Sequence, residues 1–268
     1  MLGAAALAVR RASAATSPAL HFSALDHVAL AVSDVERSVA FYSRIFGNTI
    51  LKDNRTTRRY VKLGPCYVAI APPAQGQEGY RVDHICAAIP GFQASNVKSL
   101  LEQKGLAARE SPVGLFVTDS DGIQVQLFSD DSWSEVAHTS APESIPASGA
   151  PIFRATGLDH ILLRTPDPEK SVEFYEKLFG PVTQRANSRI WFQVGKSRIG
   201  LAAVAGGQRP GVDHFCVSAP PFNYDEVTKK LEQAGAKVQA PEVAGWPEFR
   251  DPDNILVQVM SPRADMKK

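Results

Sequence analysis

The sequence is short of most features that mark an unusual protein. Only three cysteines occur in 268 residues, Cys66, Cys86 and Cys216. A sparse, odd-numbered set so widely spaced is not a disulfide framework. Neither sign of charge is in excess, since 29 lysines and arginines face 28 acids for a net +1. A balance that flat leaves no electrostatic footprint for nucleic acid. No apolar run reaches the roughly 18 residues that span a bilayer, so no membrane span is expected. The chain also lacks a Gly-rich phosphate loop and a nucleophile elbow. What is present is ordinary: 44% hydrophobic and 21% charged residues, which excludes disorder and collagen-like structure. At roughly 150 residues per domain, the length suits two domains.

Acid is absent locally as well, because the first acidic residue is Asp26. Residues 1–22 combine an apolar run, Leu2 to Val9, with Arg10 and Arg11 and the small-x-small triplet Ala12-Ser13-Ala14. That composition predicts a removable leader, the remnant of a signal peptide, and places the protein outside the cytoplasm or in the periplasm. A mitochondrial transit peptide and a plain tail on a cytoplasmic protein are the alternatives. On each of these the leader is excluded from the fold.

The remainder repeats. Leu25-Asp26-His27 returns as Leu158-Asp159-His160, 133 residues later, and Phe41-Tyr42 and Phe46-Gly47 return as Phe174-Tyr175 and Phe179-Gly180 at the same offset. Val82-Asp83-His84 returns as Val212-Asp213-His214, and Asp119, Asp121 and Gln126 return as Asp251, Asp253 and Gln258. A nearly constant offset over a whole unit is the mark of duplication. The copies are residues 23–130 and 156–262. Between them, residues 131–155 carry Pro142, Pro146 and Pro151 among Ser, Ala and Thr, which reads as an extended linker. Trp133 suggests that part of it docks on a domain. Residues 263–268 form a short tail.

Within each copy the periodicity alternates between two and 3.6. Val28, Leu30 and Val32 share one face of a strand and His27, Ala29 and Ala31 the other. A helix with Val35, Val39, Tyr42 and Phe46 on one side follows, opened by Ser33-x-x-Glu36 as a capping box and stopped by Gly47. In the second copy Asp167 caps, Pro168 opens the first turn and Gly180 ends the helix. Strands around 59–63 and 67–71 come next. A second strand–helix pair starts at His84, and a closing strand runs over 123–128. Each copy is thus two strand–helix–strands units, and every unit opens with Asp-His.

Four of the six histidines, His27, His84, His160 and His214, hold that position. With Gln126 and Gln258 on the closing strands, they form two sets of two imidazoles and one amide. A metal that activates oxygen or an oxyanion wants about three protein ligands on rigid elements and an open face beyond them. Cys86 and Cys216 lie two residues past a histidine and so point the same way; small buried packing is their default role. Arg58 and Arg189 match before a strand and are candidates for an anionic substrate or simply solvated strand ends. Tyr60 and Trp191 read as core. His138 and His21 are not placed to act.

The Leu-Asp-His-Val-Ala-Leu-Ala-Val stretch, the Ser38-Val39-Ala40-Phe41-Tyr42 helix ending in Phe46-Gly47 and the Asp251-Pro252-Asp253-Asn254 turn resemble the vicinal oxygen chelate superfamily of glyoxalase I, extradiol dioxygenases and bleomycin-resistance proteins. The resemblance implies an α+β fold of two tandem domains, each of two βαβββ modules in a half-open, cup-shaped sheet. It implies metal sites at His27, His84 and Gln126 and at His160, His214 and Gln258, holding a divalent ion such as Fe, Mn, Zn or Ni. The closing-strand ligand of the family is usually Glu; here both copies carry Gln, which supplies no negative charge and no carboxylate base. The function expected is a metal-dependent dioxygenase- or lyase-type enzyme acting on a small oxygen-rich substrate, with a metal-free small-molecule binding protein as the alternative. The partners expected are that small molecule and, in a homodimer, a second copy of the chain.

Overall fold

The computed structural model describes residues 20–145 and 150–261. The leader expected from residues 1–19 and the tail at 263–268 lie outside the described residues, and so does the question of export.

The first copy runs β1 (Ala24–Ala31), α1 (Val35–Phe46), β2 (Ile50–Asp53), β3 (Arg59–Leu63), β4 (Cys66–Ala71), then β5 (Arg81–Ile89), α2 (Ala94–Gln103), β6 (Ala108–Ser111), β7 (Gly114–Thr118) and β8 (Gln124–Ser129). The linker contributes α3 (Ser132–His138) and β9 (Ser140–Glu143). The second copy repeats the order as β10 (Gly157–Thr165), α4 (Pro168–Phe179), β11 (Gln184–Ala186), β12 (Arg189–Val194), β13 (Ser197–Ala203), β14 (Gly211–Ser218), α5 (Tyr224–Gln233), β15 (Lys237–Gln239), β16 (Glu248–Arg250) and β17 (Leu256–Met260). The sheets are ordered β6-β7-β8-β5-β1-β4-β3-β2-β9 and β11-β12-β13-β10-β14-β17-β16-β15. Read from opposite ends, and with β9 set aside, these are the same order. Each copy is therefore two βαβββ modules joined where their first strands pair antiparallel, β1 with β5 and β10 with β14.

Alternation divides the strands as the sequence predicts. Val28, Leu30 and Val32 join α1, α4 and the equivalent strands of the second copy in one apolar core shared by both copies. Ala29 and Leu162 face the other way, into small separate clusters inside each cup. The copies lock reciprocally. Tyr42 on α1 donates to Asp251 Oδ2 at 2.9 Å, and Tyr175 on α4 donates to Asp119 Oδ2 at 2.9 Å. Gly64 and Gly195, in the matching β3–β4 and β12–β13 hairpins, both have positive φ (64° and 58°). A Cβ on Gly64 would stand 2.7 Å from the Ala155 carbonyl, and one on Gly195 would overlap the Ser23 carbonyl. Each hairpin thus receives the backbone that leads into the other copy's first strand.

Two local expectations need correction. The capping box at Ser33 does not form: Asp34 is the N-cap and accepts from the Arg37 amide, while the Ser33 hydroxyl bonds Asp253 of the second copy at 2.5 Å. A tertiary partner has taken the residue that local pattern assigned to the helix. The linker is likewise not extended throughout. Its first part folds as α3, with Trp133 and Val136 on Tyr67 and neighbours inside the first cup, and β9 then adds an edge strand to β2.

Candidate functional site

All four Asp-His pairs share one local device. In β1 the register slips between Leu25 and His27, and where β5 pairs with β1 it slips past Asp83. The second copy slips at Asp159 and past Asp213 in the same way. A bulge inserts an extra residue and breaks the alternation, so each aspartate can turn towards its own histidine. The resulting Nδ1–carboxylate distances are 2.6 Å for His27–Asp26, 2.9 Å for His84–Asp83, 2.6 Å for His160–Asp159 and 2.8 Å for His214–Asp213. Hydrogen bonds from His214 and Arg164 outweigh burial and hold Asp213 at about 2. Bonding from His84 lowers Asp83, and bonding from His160, against burial, lowers Asp159. Burial in turn pulls the His84 and His160 imidazoles below their usual range. A neutral imidazole whose Nδ1–H is given to a carboxylate presents a lone pair at Nε2.

Those lone pairs converge. In the second copy His160 Nε2 and His214 Nε2 are 3.2 Å apart, with rings nearly perpendicular at 78°. In the first, the rings of His27 and His84 lie 5.7 Å apart at the same 78°, and His27 Nε2 meets Gln126 Oε1 at 3.1 Å. Both glutamine amides are oriented by what their NH2 groups find. Gln126 Nε2 donates to the Val113 carbonyl and Gln258 Nε2 to Glu248 Oε1 at 2.9 Å. The carbonyl oxygens are the atoms left over, and Gln258 Oε1 is buried with no hydrogen-bond partner among the described residues. Acceptors facing acceptors in a buried space need a proton or a cation between them. The donor set therefore fits a divalent ion, with each carboxylate in the supporting position usual behind a metal-bound imidazole.

The structure brings His27, His84 and Gln126 onto adjacent strands of one cup and His160, His214 and Gln258 onto adjacent strands of the other; all six are buried. Cys86 lies between His27 and Gln126 in register, and Cys216 between His160 and Gln258. Asp26, His27 and Cys86 have donor atoms within 4.8 Å of one another, as do Asp159, His160 and Cys216. In both triplets the carboxylate is already bonded to its imidazole, and burial pushes the thiols well above their usual range. The carboxylates brace the histidines, and the thiols are buried packing. Tyr60 and Trp191 are buried on the concave faces, Trp191 edge-on to His160 at 5.4 Å. Arg189 is ion-paired with Glu242. His138 and His21 are exposed.

One residue was missed. Glu248 is 5% exposed, opposite Gln258 in the β16–β17 ladder. The signal was available: Glu248 lies 132 residues after Phe116, the offset that relates Asp119 to Asp251. A three-residue strand and an aromatic residue at the matching place hid it. Glu248 puts a carboxylate one hydrogen bond behind the second amide, whereas Phe116 packs edge-on to His84 at 5.2 Å.

Volume and chemistry point to different copies. A cavity of about 470 Å³ in the first copy lies between α3 and the loop around Arg55, and none of His27, His84 and Gln126 lines it. A smaller one of about 310 Å³ in the second copy is bounded by His214 and Glu248. Donors converge in both copies, but of these two cavities the second is the one bordered by a candidate ligand, His214, and that contact, not the size, marks it as the candidate reaction site.

Residues 24–147 and 157–259 match the Glyoxalase/Bleomycin resistance protein/Dioxygenase superfamily. The chain belongs to that superfamily, as two tandem domains of its fold. A lactoylglutathione lyase of Schizosaccharomyces pombe is 26% identical over 207 residues, 61% of each chain. The chain thus aligns to less than two thirds of that relative. Among solved structures, the 2,3-dioxygenase LapB of Pseudomonas sp. KL28 has a TM-score of 0.66 at 12% identity, over 93% of this chain and 97% of that one. The Mn(II)-bound glyoxalase of Novosphingobium aromaticivorans has a TM-score of 0.66 at 16% identity, over 90% and 83%. At such identities the likeness establishes the fold. Among the described residues no helix is long and apolar enough to cross a membrane.

Proposed function

We propose that the chain is a metal-dependent enzyme acting on a small oxygen-rich molecule, and that its second copy carries the reaction. The observation that supports this most is the facing pair of Nε2 atoms at 3.2 Å beside the unpartnered Gln258 Oε1. His160, His214 and Gln258 would hold the ion, Fe, Mn, Zn or Ni being the candidates. When bound, it would supply Lewis-acid polarisation of vicinal substrate oxygens or activation of oxygen.

The chain's own groups do the rest. Asp159 and Asp213 keep the Nδ1 protons, so both imidazoles stay oriented with Nε2 free. Arg198 and Arg164 neutralise those aspartates at 2.9 Å each. Glu248 compensates charge through the amide it holds. Its oxygens already accept from Gln258, Gln239 and the Glu242 amide, which occupies three of about four lone pairs and makes it a weak base. That favours an oxygenase- or lyase-type reaction over an isomerisation requiring a carboxylate base. A metal-free binding role is favoured by one feature, the roomy first-copy cavity away from its histidines.

The test is metal analysis of the full chain purified without a metal-binding tag, then reconstituted with each of the four ions. Retention of about one ion per chain, lost in His214→Ala and kept in His84→Ala, is expected. A chain that retains none of the four overturns the enzyme reading in favour of binding alone.

A further inference from the structure

The second-copy cavity does not end at His214. Arg164, Asp213 and Arg250 border it and also border a neighbouring cleft of about 420 Å³. The first copy supplies part of the far wall of that cleft through Tyr80 and Arg81. Arg209 completes a set of four arginines there, against the single carboxylate of Asp213. In a chain whose net charge is only +1, that is a local concentration of one sign.

The four arginines are not equally engaged. Arg164 is committed, its Nε bonded to Asp213 at 2.9 Å and one terminal nitrogen to the Ala203 carbonyl at 3.1 Å. Arg250 makes one hydrogen bond, to the Asn254 carbonyl at 3.0 Å, and Arg81 one, to the Glu78 carbonyl at 3.1 Å. Neither has a carboxylate within 4 Å among the described residues. Among the described residues Arg209 meets only Glu78, at 3.8 Å between exposed ends. Each guanidinium carries five N–H donors in a planar fork that matches an oxyanion. Most of the donors lining this cleft are therefore unspent. Arg185, by contrast, is closed on Glu169 by two hydrogen bonds.

We propose that this cleft, where the two copies meet, binds the anionic group of the substrate, which is therefore a small molecule bearing a carboxylate or phosphate. Arg81, Arg209 and Arg250 receive the oxyanion, and the rest of the molecule extends past Asp213 towards His214. This rests on the proposed reaction site for the direction of the molecule, but the anion site itself needs no metal. It also gives the duplication a use, because Arg81 of the first copy completes a site of the second. A clustered positive field at the mouth would steer such a substrate inward, with a rate that falls as salt rises.

The experiment is calorimetric titration of the metal-free full chain with malonate and, separately, with inorganic phosphate. One-to-one binding is expected, weakening with ionic strength and falling about tenfold or more in Arg81→Gln/Arg250→Gln, as loss of charge-assisted hydrogen bonds requires. Arg185→Gln should bind as the unsubstituted chain does. Preference for malonate assigns a carboxylated substrate, and preference for phosphate a phosphorylated one; either supports the site. Absence of binding, or equal binding by the double variant, overturns it. Unchanged metal retention by the double variant, with circular dichroism to show that it is folded, separates this outcome from failure of the metal-site reading.

Discussion

The two copies share strand order, bulges, histidines and glutamines, and differ in what surrounds them. Three positions carry the difference. Arg198 stands where the first copy has Tyr67, each paired in register with its first histidine. Arg164 stands where the first copy has Ala31, and Glu248 where it has Phe116. In the first copy Tyr67 stacks on His27 at 4.5 Å, Phe116 packs on His84, and Ser132 of α3 bonds Asp26 at 2.7 Å. In the second, guanidinium groups balance both aspartates and a carboxylate backs the amide. The same four-strand frame has thus become a histidine pair packed by aromatic rings in one half and an equally buried pair backed by charged groups in the other. Duplication supplies two sites of equal backbone geometry, and side chains on neighbouring strands then decide which can hold a charge.

The sharpest way to break this comparison is to remove one imidazole from each half. His214→Ala should lower cation affinity roughly a hundredfold or more, since removing a direct ligand should cost at least what losing an outer partner does, and His84→Ala should change it little. Equal losses by metal analysis would mean that both copies load alike. The shared frame is tested next by Gly195→Ala and Gly64→Ala. Positive φ and an occupied backbone neighbour should cost about 3 kcal/mol in each, read as a shift in the denaturant midpoint. A cost confined to one hairpin would deny the reciprocal packing.

Glu248→Gln keeps the shape and the bond to Gln258 but removes the charge. It should weaken cation binding about 10- to 100-fold, whereas Phe116→Glu should strengthen binding in the first copy. Titration of each variant with Mn(II) would show it. A Gln126→Glu exchange should also raise affinity there, but Gln258→Glu should not, because it would place two carboxylates in contact.

The smallest effects concern the tyrosine locks. Tyr175→Phe or Tyr42→Phe should cost about 1–3 kcal/mol by leaving a buried carboxylate short of a donor. Burial raises the Asp119 carboxyl, and the Tyr175 hydroxyl opposes that rise. A carboxyl raised in the folded state contributes stability below its unfolded value of about 4 and loses it as pH rises through the folded value. Tyr175→Phe should therefore extend that decline to higher pH in a melting series, and an unshifted series would show that the bond carries no charge coupling.

Much of this was legible without coordinates. The period-two face of His27, Ala29 and Ala31 and the constant offset between copies were enough for two copies with one order of elements and for the strand face that carries the histidine, because alternation and repetition are local properties of a chain. Asp34 in place of Ser33 as helix cap was not legible, because Ser33 is claimed by Asp253 more than two hundred residues away. Nor was α3, whose hold on the first cup depends on Tyr67 and Asp26 being there to receive it.

By itself, then, the order of residues determined two copies, their α+β modules, the inward histidines and the amide at the closing strand. Tertiary structure alone decided that the copies are unequal. Glu248 is an unremarked acid in a short segment until β16 pairs with β17, and Arg81 belongs to one copy until the other is packed against it. Charge acts through space, at distances of a few ångströms that sequence separation does not record. The function of a duplicated frame is settled at that range.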